Sequence, residues 1–462
     1  MPGNSHPGNP SERRVCQSIE LLEGNMQDIS RSDNVSTKQK QIAELSKRRH
    51  RAGLTSLNKH LDFEWLREAW RRTRKSGATG VDKHSAADFE IELSSNLTIL
   101  LDGLKSGDYH APPVKRVYLP KGGGKWRPIG IPTIGDKVAQ QAILMLIEPV
   151  FEQDFLDCSY GFRKGKSAHQ ACERLGDFLH KGLTNYVVEA DISQFFDHLV
   201  HKQLRGFLRE RISDGVVLRL IDKWLCAGAI DRGSFKSSEA GSPQGGIVSP
   251  ILANLYLHKV LDQWFYESFI KELEGEALLV RYCDDFCIAC RNKGDAEKVL
   301  EQLHKRFSEF GLTLHADKTR IVPFCRPFPN QTKARKVHTE TFDLLGFTFF
   351  WGLSRRGHWI VKRMTSRKRF SRSLKNLSDW CRQHMHEPIR VQLDGIVLKL
   401  RGHKNYFGII GNSRRCDLFQ YFGLAIWRGW LSRRSSSGYV DLARMSRILQ
   451  LHPYFRRRTA MG

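Results

Sequence analysis

The stretch that most constrains the fold is residues 277–290, "ALLVRYCDDFCIAC", in which two short apolar runs flank the adjacent Asp284 and Asp285. This form predicts a strand, a tight turn and a second strand, with both carboxylates at the tip of the hairpin. Three interpretations of the tip are open on this evidence: an ordinary acidic turn, a cysteine metal site, or the centre of a metal-dependent active site. Because aspartate is common in turns, the pair alone favours the first.

The cysteines around the hairpin do not have the spacing of a zinc site. Cys287 and Cys290 lie on one predicted strand, and an odd spacing places them on opposite faces of the sheet. The sequence near Cys283 contains no second Cys-x-x-Cys or His-x-x-x-His pair that would complete four ligands. The chain has ten cysteines and no apparent secretory signal, so we expect free, mostly buried thiols.

A third aspartate follows another apolar run, in "NYVVEADISQFFDHL". The pattern predicts a buried strand from Tyr186 to Ala190, then a turn and a helix from Asp191. If this strand lies beside the hairpin, three carboxylates converge, and their repulsion requires cations between them. Mg²⁺ prefers carboxylate and phosphate oxygens, and two ions about 3.5–4 Å apart support in-line phosphoryl transfer.

The charge of the chain points to a polyanionic partner. Its net charge is +25, and residues 351–462 contain 24 Lys and Arg against five acidic residues, a net of +19. A small domain needs a net charge of only about 2–8 for solubility. Because neutralised phosphates release counterions on binding, nucleic acid is the favoured partner.

The hydropathy of the chain predicts a cytoplasmic protein. The sequence has no apolar run of the length, about 18 residues, that a membrane span needs. The first residues, "MPGNSHPGNPSERR", lack the apolar core of a signal peptide. We therefore expect neither membrane association nor export.

Taken together, the motifs resemble those of group II intron-encoded reverse transcriptases, or maturases, of the type that lacks an endonuclease domain. "YCDDF" resembles the YxDD box of the family, "VVEADISQFFDHL" its first catalytic-aspartate segment, and "GSPQGGIVSPILANLYLHKVLD" its PQG segment. The other matching segments are "VYLPKGGGKWRPIGIPTIGDKVAQQAI", "SYGFRKGKSAHQA", "FGLTLHADKTRIVPF", "FDLLGFTF" and the maturase-like "LKLRGHKNYFGI". They follow the order of the family over residues 54–431, which makes chance agreement improbable.

The resemblance implies an α+β fold with the architecture of a right-hand polymerase. Fingers and an antiparallel-sheet palm precede an all-helical thumb, or maturase, domain. The implied divisions are a polar N-terminal extension at 1–50 that becomes helical towards its end, fingers and palm at 51–364, thumb at 365–435, and a short basic tail at 436–462.

The resemblance also assigns functional residues. Asp191, Asp284 and Asp285 are implied to be catalytic and, with Ile192, to bind two Mg²⁺ ions, for which Mn²⁺ is a possible substitute. The implied nucleotide-binding residues are Lys125, Arg127, Phe196, Gln244 and Lys318. Of these, Phe196 would exclude a ribose 2′-hydroxyl and Lys318 would donate a proton to pyrophosphate. A solvated surface role for Lys125 and Lys318 and a core role for Phe196 remain alternatives.

The implied nucleic-acid contacts lie on basic residues outside the centres of these motifs. They are Arg163, Lys164, Arg367, Lys368, Arg401, Arg414 and Arg415. The "LLGF" segment, Leu344 to Phe347, matches the region that grips the primer terminus, and a core role is the alternative. The implied partners are an intron RNA template, a DNA primer or target, and dNTPs.

Three functions fit the resemblance. The favoured one is a mobile-intron polymerase that also assists splicing of its own intron RNA. The alternatives are a free-standing intron-derived reverse transcriptase used in host defence or repair, and an RNA-binding splicing maturase without polymerase activity. The paired cysteines of an HNH-type endonuclease are not present after Cys381, so the favoured function would need another source of primer.

Overall fold

The computed structural model describes residues 34–50, 52–122, 125–181, 184–237, 241, 245–327, 339–434 and 438–456. The predicted nucleotide contact Gln244, the side chain of Lys125 and most of the N-terminal extension lie outside the described residues. The chain divides into two compact units. The first unit comprises Met1–Ser167, Ile192–Glu272 and Gln302–His315, and the second comprises Ala168–Asp191, Leu273–Glu301 and Ala316–Gly462.

The helices and strands are numbered along the chain. The helices are α1 (34–48), α2 (Phe63–Arg72), α3 (Ala86–Ile91), α4 (Leu93–Ser106), α5 (Ile134–Phe151), α6 (Ala168–His180), α7 (His201–Arg209), α8 (Gly215–Cys226), α9 (Ser249–Leu257), α10 (Lys293–Glu309), α11 (Arg367–Gln383), α12 (Ile389–Phe407), α13 (Ser413–Leu431), α14 (Leu442–Gln450) and α15 (Pro453–Arg456). The strands are β1 (Val114–Gly122), β2 (Lys125–Ile131), β3 (Tyr186–Asp191), β4 (Ala229–Asp231), β5 (Ser234–Lys236), β6 (Ala277–Tyr282), β7 (Asp285–Cys290), β8 (Arg320–Pro323), β9 (Phe342–Leu344), β10 (Phe347–Leu353) and β11 (Trp359–Thr365).

The first unit combines helices with a four-stranded sheet of order β2-β1-β4-β5. The helix α2 begins where the Asp62 carboxylate accepts a hydrogen bond from the Trp65 amide, an N-cap that satisfies one of the free donors of the first turn. Trp65 is fully buried and donates from its indole to the Ala142 carbonyl of α5 at 3.0 Å. The strands β1 and β2 pair antiparallel, with Lys115 opposite Ile131 and Gly122 opposite Lys125.

The chain after β3 differs from its prediction. The sequence predicts a helix from Asp191, but the described chain has a short 3-10 helix at Phe195–Asp197 and no α-helix until α7. Ile192 instead forms an isolated antiparallel bridge with Leu314. Gln194 then takes a left-handed conformation with φ of 45°, which an α-helix cannot include. The prediction that a helix begins at Asp191 is therefore wrong.

The second unit contains an antiparallel sheet of order β6-β7-β3-β8. The strand β7 has apolar side chains on both of its faces, and residues 286–290 are all buried. Cys287 and Cys290 are 1% and 0% exposed, and the described cysteines are free thiols. The antiparallel sheet that the resemblance implies and the mostly buried free thiols are confirmed.

A three-stranded antiparallel sheet, β11-β10-β9, precedes the C-terminal helices of the second unit. The helices α11, α12 and α13 enclose a core that includes Phe370, Leu377, Cys381, Ile396 and Trp427. The α+β fold class, with an antiparallel-sheet palm and a helical C-terminal region, is thereby confirmed. In the described part of the chain, no helix has the length and apolar character to cross a bilayer. The predicted divisions at residues 50, 364 and 435 and the cytoplasmic location remain predictions.

Candidate active site

The acidic hairpin places its two aspartates at the end of the palm sheet. The strands β6 and β7 are joined by a two-residue turn, Cys283 and Asp284, with Tyr282 opposite Asp285. Cys283 has φ of 60°, the positive value that such a tight hairpin needs at its first turn residue. On the other side of β7, Asp285 lies directly opposite Asp191 in the β3 register. One register therefore brings together three carboxylates that are up to 94 positions apart in the sequence.

The pKa of Asp285 reflects this proximity. Desolvation of its carboxyl is the largest cause, although the residue as a whole is exposed, and the charges of Asp284 and Asp191 add to it, so that the pKa rises to about 6. Arg369 and Lys318 act in the opposite direction. Since like charges disfavour ionisation only at short range, the shift supports a shared carboxylate cluster rather than three separate turn residues.

The cations beside the cluster come from two other elements. Lys318, at the end of a 3-10 helix, forms an ion pair with the Asp191 carboxylate. Arg369, on α11, is the positive group that acts most strongly on Asp285. Arg367 and Lys368 were predicted to bind nucleic acid, but Arg369 was not among the predicted residues. Its only signal was the continuous basic run at 367–369, which does not show which side chain faces the sheet.

The donor chemistry of the cluster fits hard divalent cations. In the described residues, no three His, Cys, Asp or Glu side chains converge closely enough to hold an ion by themselves. Two-metal sites complete their coordination with water and substrate phosphates, and here Lys318 already engages Asp191. The three carboxylates supply oxygen donors and a repulsion that a cation would relieve. Ile192 has an apolar, buried side chain, so that only its carbonyl oxygen is a candidate ligand.

The thiol of Cys283 is protonated and unreactive at neutral pH. Burial is the largest cause that raises its pKa, followed by the charge of Asp284, and the value reaches about 12. A protonated thiol is a poor metal ligand and a poor nucleophile. The interpretation of the hairpin as a cysteine metal site is therefore not supported. Cys283 occupies the first position of the turn.

Replacing Cys283 with alanine is expected to leave primer extension within about twofold of wild type, because Ala accepts the same turn with no new steric demand. Replacing it with valine is expected to lower the melting temperature, since a β-branched residue is strained at φ of 60°. Steady-state extension and thermal melting measure the two effects. Loss of activity in Cys283→Ala would instead assign the thiol a chemical role.

The "LLGF" segment is a second tight hairpin turn. Leu345 and Gly346, between β9 and β10, have φ of 52° and 82°, the pair of positive values typical of a type I′ turn. The Tyr406 hydroxyl donates to the Leu345 carbonyl at 2.9 Å, and the Ser366 amide donates to the Gly346 carbonyl at 2.9 Å. A Cβ on Gly346 would lie 3.1 Å from Cγ of Arg369. The turn is thus held against the first turn of α11.

The predicted nucleotide-selecting aromatic lies in the first unit. Phe195 is 3% exposed and belongs to the core, whereas Phe196 is half-buried and meets Phe195 edge-on with ring centroids 5.4 Å apart. Gly241 has φ of 86°, and a Cβ there would lie 2.8 Å from the Phe196 carbonyl oxygen. The segment that begins the "GSPQGG" run therefore touches the backbone of Phe196, and only glycine fits.

The other end of the same run contacts the hairpin of β1 and β2. Gly245 has φ of 119°, and a Cβ there would overlap the Gly130 carbonyl oxygen and lie 3.0 Å from Cγ2 of Ile129. Arg127, three residues before Gly130, is exposed and pairs in register with Leu119. Lys125 begins β2 opposite Gly122. Lys125 and Arg127, two of the predicted nucleotide-binding residues, therefore lie on the strand that Gly245 touches.

Comparison with known proteins identifies the family. The family described as "Reverse transcriptase (RNA-dependent DNA polymerase)" matches residues 119–349, half of the chain, including all three aspartates. The chain belongs to the reverse transcriptase family. Its similarity to "Protein YkfC" of Escherichia coli (strain K12) is 36% identity over 291 residues, or 56% of this chain and 76% of that protein.

Two relatives with intron names match shorter segments. "Group II intron-encoded protein LtrA" of Lactococcus lactis subsp. cremoris is 39% identical over 173 residues, which is 37% of this chain and 28% of that protein. "Nuclear intron maturase 4, mitochondrial" of Arabidopsis thaliana is 25% identical over 150 residues, 32% of this chain and 18% of that protein. The resemblance inferred from the motifs is confirmed as a relationship to reverse transcriptases.

One predicted nucleic-acid contact of this reverse transcriptase needs correction. Arg163 is 9% exposed. Its guanidinium pairs with the Glu152 carboxylate at 2.7 Å and donates to the carbonyls of Leu156, Ser159 and Phe155. These contacts use all five donors of the side chain, so Arg163 holds the loop after α5 and is not retained as an RNA contact. Lys164 is ion-paired to Glu148 at 2.6 Å but stays largely exposed.

The remaining predicted contacts of the reverse transcriptase lie on its C-terminal helices. Arg367, Lys368, Arg401 and Arg414 are exposed. Arg401 lies over the Tyr454 ring at 5.2 Å, and Arg415, half-buried, lies over the Phe370 ring at 5.5 Å. These positions leave guanidinium and ammonium groups open to a polyanion, and their role in binding stays a prediction.

Proposed function

We propose that this chain is an RNA-directed DNA polymerase that extends a primer by two-metal phosphoryl transfer. The observation that carries the proposal is the register that sets Asp191 opposite Asp285, with Asp284 in the adjoining turn. The raised pKa of Asp285 supports the same cluster. The family membership supplies the reaction: the 3′-hydroxyl of the primer attacks the α-phosphorus of a dNTP, a new P–O bond forms, and the bond to pyrophosphate breaks.

Different residues of the chain would bind the metal ions and donate a proton in this reaction. Two Mg²⁺ ions, or Mn²⁺ as a substitute, would lower the pKa of the attacking hydroxyl and stabilise charge on the leaving oxygen. Asp191, Asp284 and Asp285 would hold them, with the Ile192 carbonyl as a further donor. Lys318, which is paired with Asp191 in the structure, would give a proton to pyrophosphate once that carboxylate binds a cation.

Nucleotide binding is proposed for residues of the first unit. Arg127 is exposed on β2, and its guanidinium fork suits phosphate oxygens. Lys125 and Gln244 are retained on the resemblance alone. Phe196 is proposed to press on the 2′ position of the sugar, because it is the less buried of the two adjacent aromatic residues.

We also propose that the polymerase binds a group II intron RNA and assists its splicing. The net charge of +19 over residues 351–462 supports a polyanionic partner. The similarity to proteins whose names refer to group II introns and intron maturation supports the kind of RNA. The DNA primer or target remains part of the same proposal.

The proposed polymerase is tested by primer extension with the purified full chain. A DNA primer annealed to an RNA template, with Mg²⁺ and four dNTPs, is expected to yield full-length cDNA that is resistant to ribonuclease. Binding of the annealed template, measured in parallel without dNTPs, separates a catalytic failure from a binding failure. A chain that binds the template but adds no nucleotide would refute the proposed polymerase activity. The splicing role would then be the remaining proposal.

Replacing Phe196 with alanine is expected to raise the incorporation of ribonucleotides relative to deoxynucleotides by roughly 100-fold, the scale on which a pocket discriminates one hydroxyl. The ratio of kcat/KM for a matched rNTP and dNTP measures the effect. Phe235→Ala is the matched control, since Phe235 is an aromatic of the same type, 60% exposed, on β5. An unchanged ratio in Phe196→Ala would show that Phe196 is a core residue that does not select the sugar.

A further inference from the structure

A buried polar network links α5 to the residues that follow the "GSPQGG" run in the first unit. Asp136 and Gln140 of α5 are each 3% exposed. Gln140 donates from Nε2 to Oδ2 of Asp136 at 2.9 Å. Its Oε1 accepts from the Ile247 amide at 2.7 Å and from the Val248 amide at 3.4 Å. A buried side-chain amide thus holds two consecutive backbone amides of another segment.

The orientation of this amide is set by its neighbours. Asp136 also accepts from Trp224 Nε1 at 2.7 Å and from the Tyr109 hydroxyl, both on Oδ1. A carboxylate only accepts hydrogen bonds, so the NH₂ end of Gln140 must face Asp136. Its oxygen is then directed at the Ile247 amide, and a flip would place like groups together at both ends. The network has one consistent arrangement, which makes Gln140 a rigid anchor.

The anchored backbone is the part of the run that contacts the hairpin of β1 and β2. Ile247 and Val248 lie between Gly245 and the start of α9. Gly245 is in contact with Gly130 and Ile129 of β2, so closely that no Cβ fits. Gln140 therefore fixes the spacing between this backbone and the strand that bears Arg127. Such a contact would tolerate little displacement, because it joins backbone to backbone.

We propose that Gln140 is a positioning residue for the incoming nucleotide: it holds the Gly245–Val248 backbone against β2 so that the phosphate-contacting side chains of that strand are correctly placed. The inference rests on the proposed polymerase function. It concerns a residue that lies in the core and touches no substrate. The competing explanation is that the network only joins α5, α8 and α9, in which case its loss lowers stability alone.

The test separates these explanations by KM and kcat. Gln140→Met keeps the length and volume of the side chain but removes its hydrogen bonds. We expect KM for the dNTP to rise by about 10- to 100-fold, the scale of a sub-ångström to 1 Å misplacement. We expect kcat and the affinity for the annealed primer and template to change by about twofold or less. Tyr109→Phe is the matched control, because it removes a hydrogen bond to the same Asp136 and leaves the Ile247 contact intact.

A charge-conserving exchange provides a second, independent arm. In the double variant Asp136→Asn/Gln140→Glu, the carboxylate at position 140 can accept from Ile247, Val248 and the new side-chain amide at position 136. The oxygen of that amide can accept from Trp224 and Tyr109. We expect KM for the dNTP to return to within about threefold of wild type, which a variant that merely disturbed the core would not show.

Each outcome decides between the two explanations. A raised KM in Gln140→Met, a wild-type KM in Tyr109→Phe, and recovery in the exchange support positioning. Equal KM values in Gln140→Met and wild type overturn it, as does a raised KM in a folded exchange variant. If Gln140→Met does not fold, Gln140→Asn replaces it, because this side chain keeps the amide but is one methylene too short to reach both Asp136 and the Ile247 amide. Failure of the wild-type chain to extend any primer would overturn the proposed function instead, and is recognised before any variant is compared.

Discussion

Replacing Asp285 with asparagine is expected to lower the rate of RNA-templated primer extension by roughly 1,000-fold or more. The substitution keeps the size of the side chain and removes one negative charge from the cluster. A catalytic metal ion contributes several kcal/mol to the transition state, and each 1.36 kcal/mol corresponds to about tenfold in rate. Single-nucleotide extension under saturating dNTP measures the loss, and the same reduction is expected for Asp191→Asn and Asp284→Asn.

Although Asp285→Asn is expected to lower the rate, it is not expected to lower the stability of the protein. The folded-state pKa of Asp285 is raised from 3.8 to about 6, so its protonation favours the folded state, and that contribution is lost as pH rises through the folded-state value. Asparagine removes the penalty that ionisation imposes at neutral pH, so the melting temperature there should be equal to or above wild type.

The matched control for Asp285→Asn is Asp317→Asn. Asp317 is exposed beside Lys318, and its loss should leave the rate of extension unchanged. An Asp285→Asn variant that extends primers at the wild-type rate would show that the carboxylate cluster is not catalytic.

Replacing Gly245 with alanine is expected to reduce kcat/KM for the dNTP by about 100-fold, the cost of displacing a substrate-positioning element by about 1 Å. The new Cβ would overlap the Gly130 carbonyl oxygen at a φ of 119°, a backbone conformation closed to L-residues. The clash is with backbone, which cannot yield as the end of a flexible side chain would. The strain should also lower the free energy of unfolding by about 1–3 kcal/mol, which chemical denaturation measures.

The control for this prediction is another glycine of the same unit. Gly206 lies within α7, and a Cβ there would meet no heavy atom within 4 Å. Gly206→Ala is expected to raise the free energy of unfolding by about 0.5–1 kcal/mol, because glycine is a poor helix former. Extension should be unaffected. If Gly245→Ala matched Gly206→Ala in both rate and stability, the close approach to β2 would be refuted.

The strands of the catalytic cluster were predictable because their local pattern and their packing agree. The apolar runs around Asp284 and before Asp191 have tight-turn residues beside them and are too short for helices. Their pairing in one sheet was only a condition in the sequence analysis, since strand order depends on contacts between distant segments. The register of Asp191 with Asp285 came from the structure.

Arg163 shows why exposed charge is difficult to infer from sequence. It lies in a basic, glycine-containing loop, a pattern that favours a phosphate contact. Its partner, Glu152, lies 11 residues earlier, directly after α5, and no local pattern pairs the two. Burial of an arginine is tolerated only with full hydrogen bonding, which three backbone carbonyls and one carboxylate supply here.

The helix α13 shows the same limit for apolar faces. Its sequence offers Phe419, Phe422, Ile426 and Trp430 as one stripe, but Phe422 is 42% exposed and Trp427 is fully buried. Phe419 lies in the core and Ile426 and Trp430 pack against it, so only Phe422 departs from the stripe. Gly423 and Trp427 complete the buried face, and a Cβ on Gly423 would lie 3.0 Å from Cδ2 of Leu377 on α11.

The buried network around Gln140 had no sequence signal at all. Tyr109 and Asp136 are 27 residues apart, and Trp224 and Asp136 are 88 apart. Each residue type is ordinary in its own helix or loop. Only the packed structure shows that their polar groups meet, and that Gln140, which donates to Asp136, accepts a hydrogen bond from the Ile247 amide.

Catalysis by a carboxylate cluster that works with divalent cations can be measured by single-turnover addition of one dNTP to a primer on an RNA template. The full chain is first freed of metal with a chelator, and the rate is then followed as Mg²⁺ is added back. We expect no addition without a divalent cation, recovery that saturates with Mg²⁺, and no recovery in Asp284→Asn with template affinity unchanged. Addition at the same rate with and without Mg²⁺, or equal rates in wild type and Asp284→Asn, would contradict the proposed role of the three aspartates.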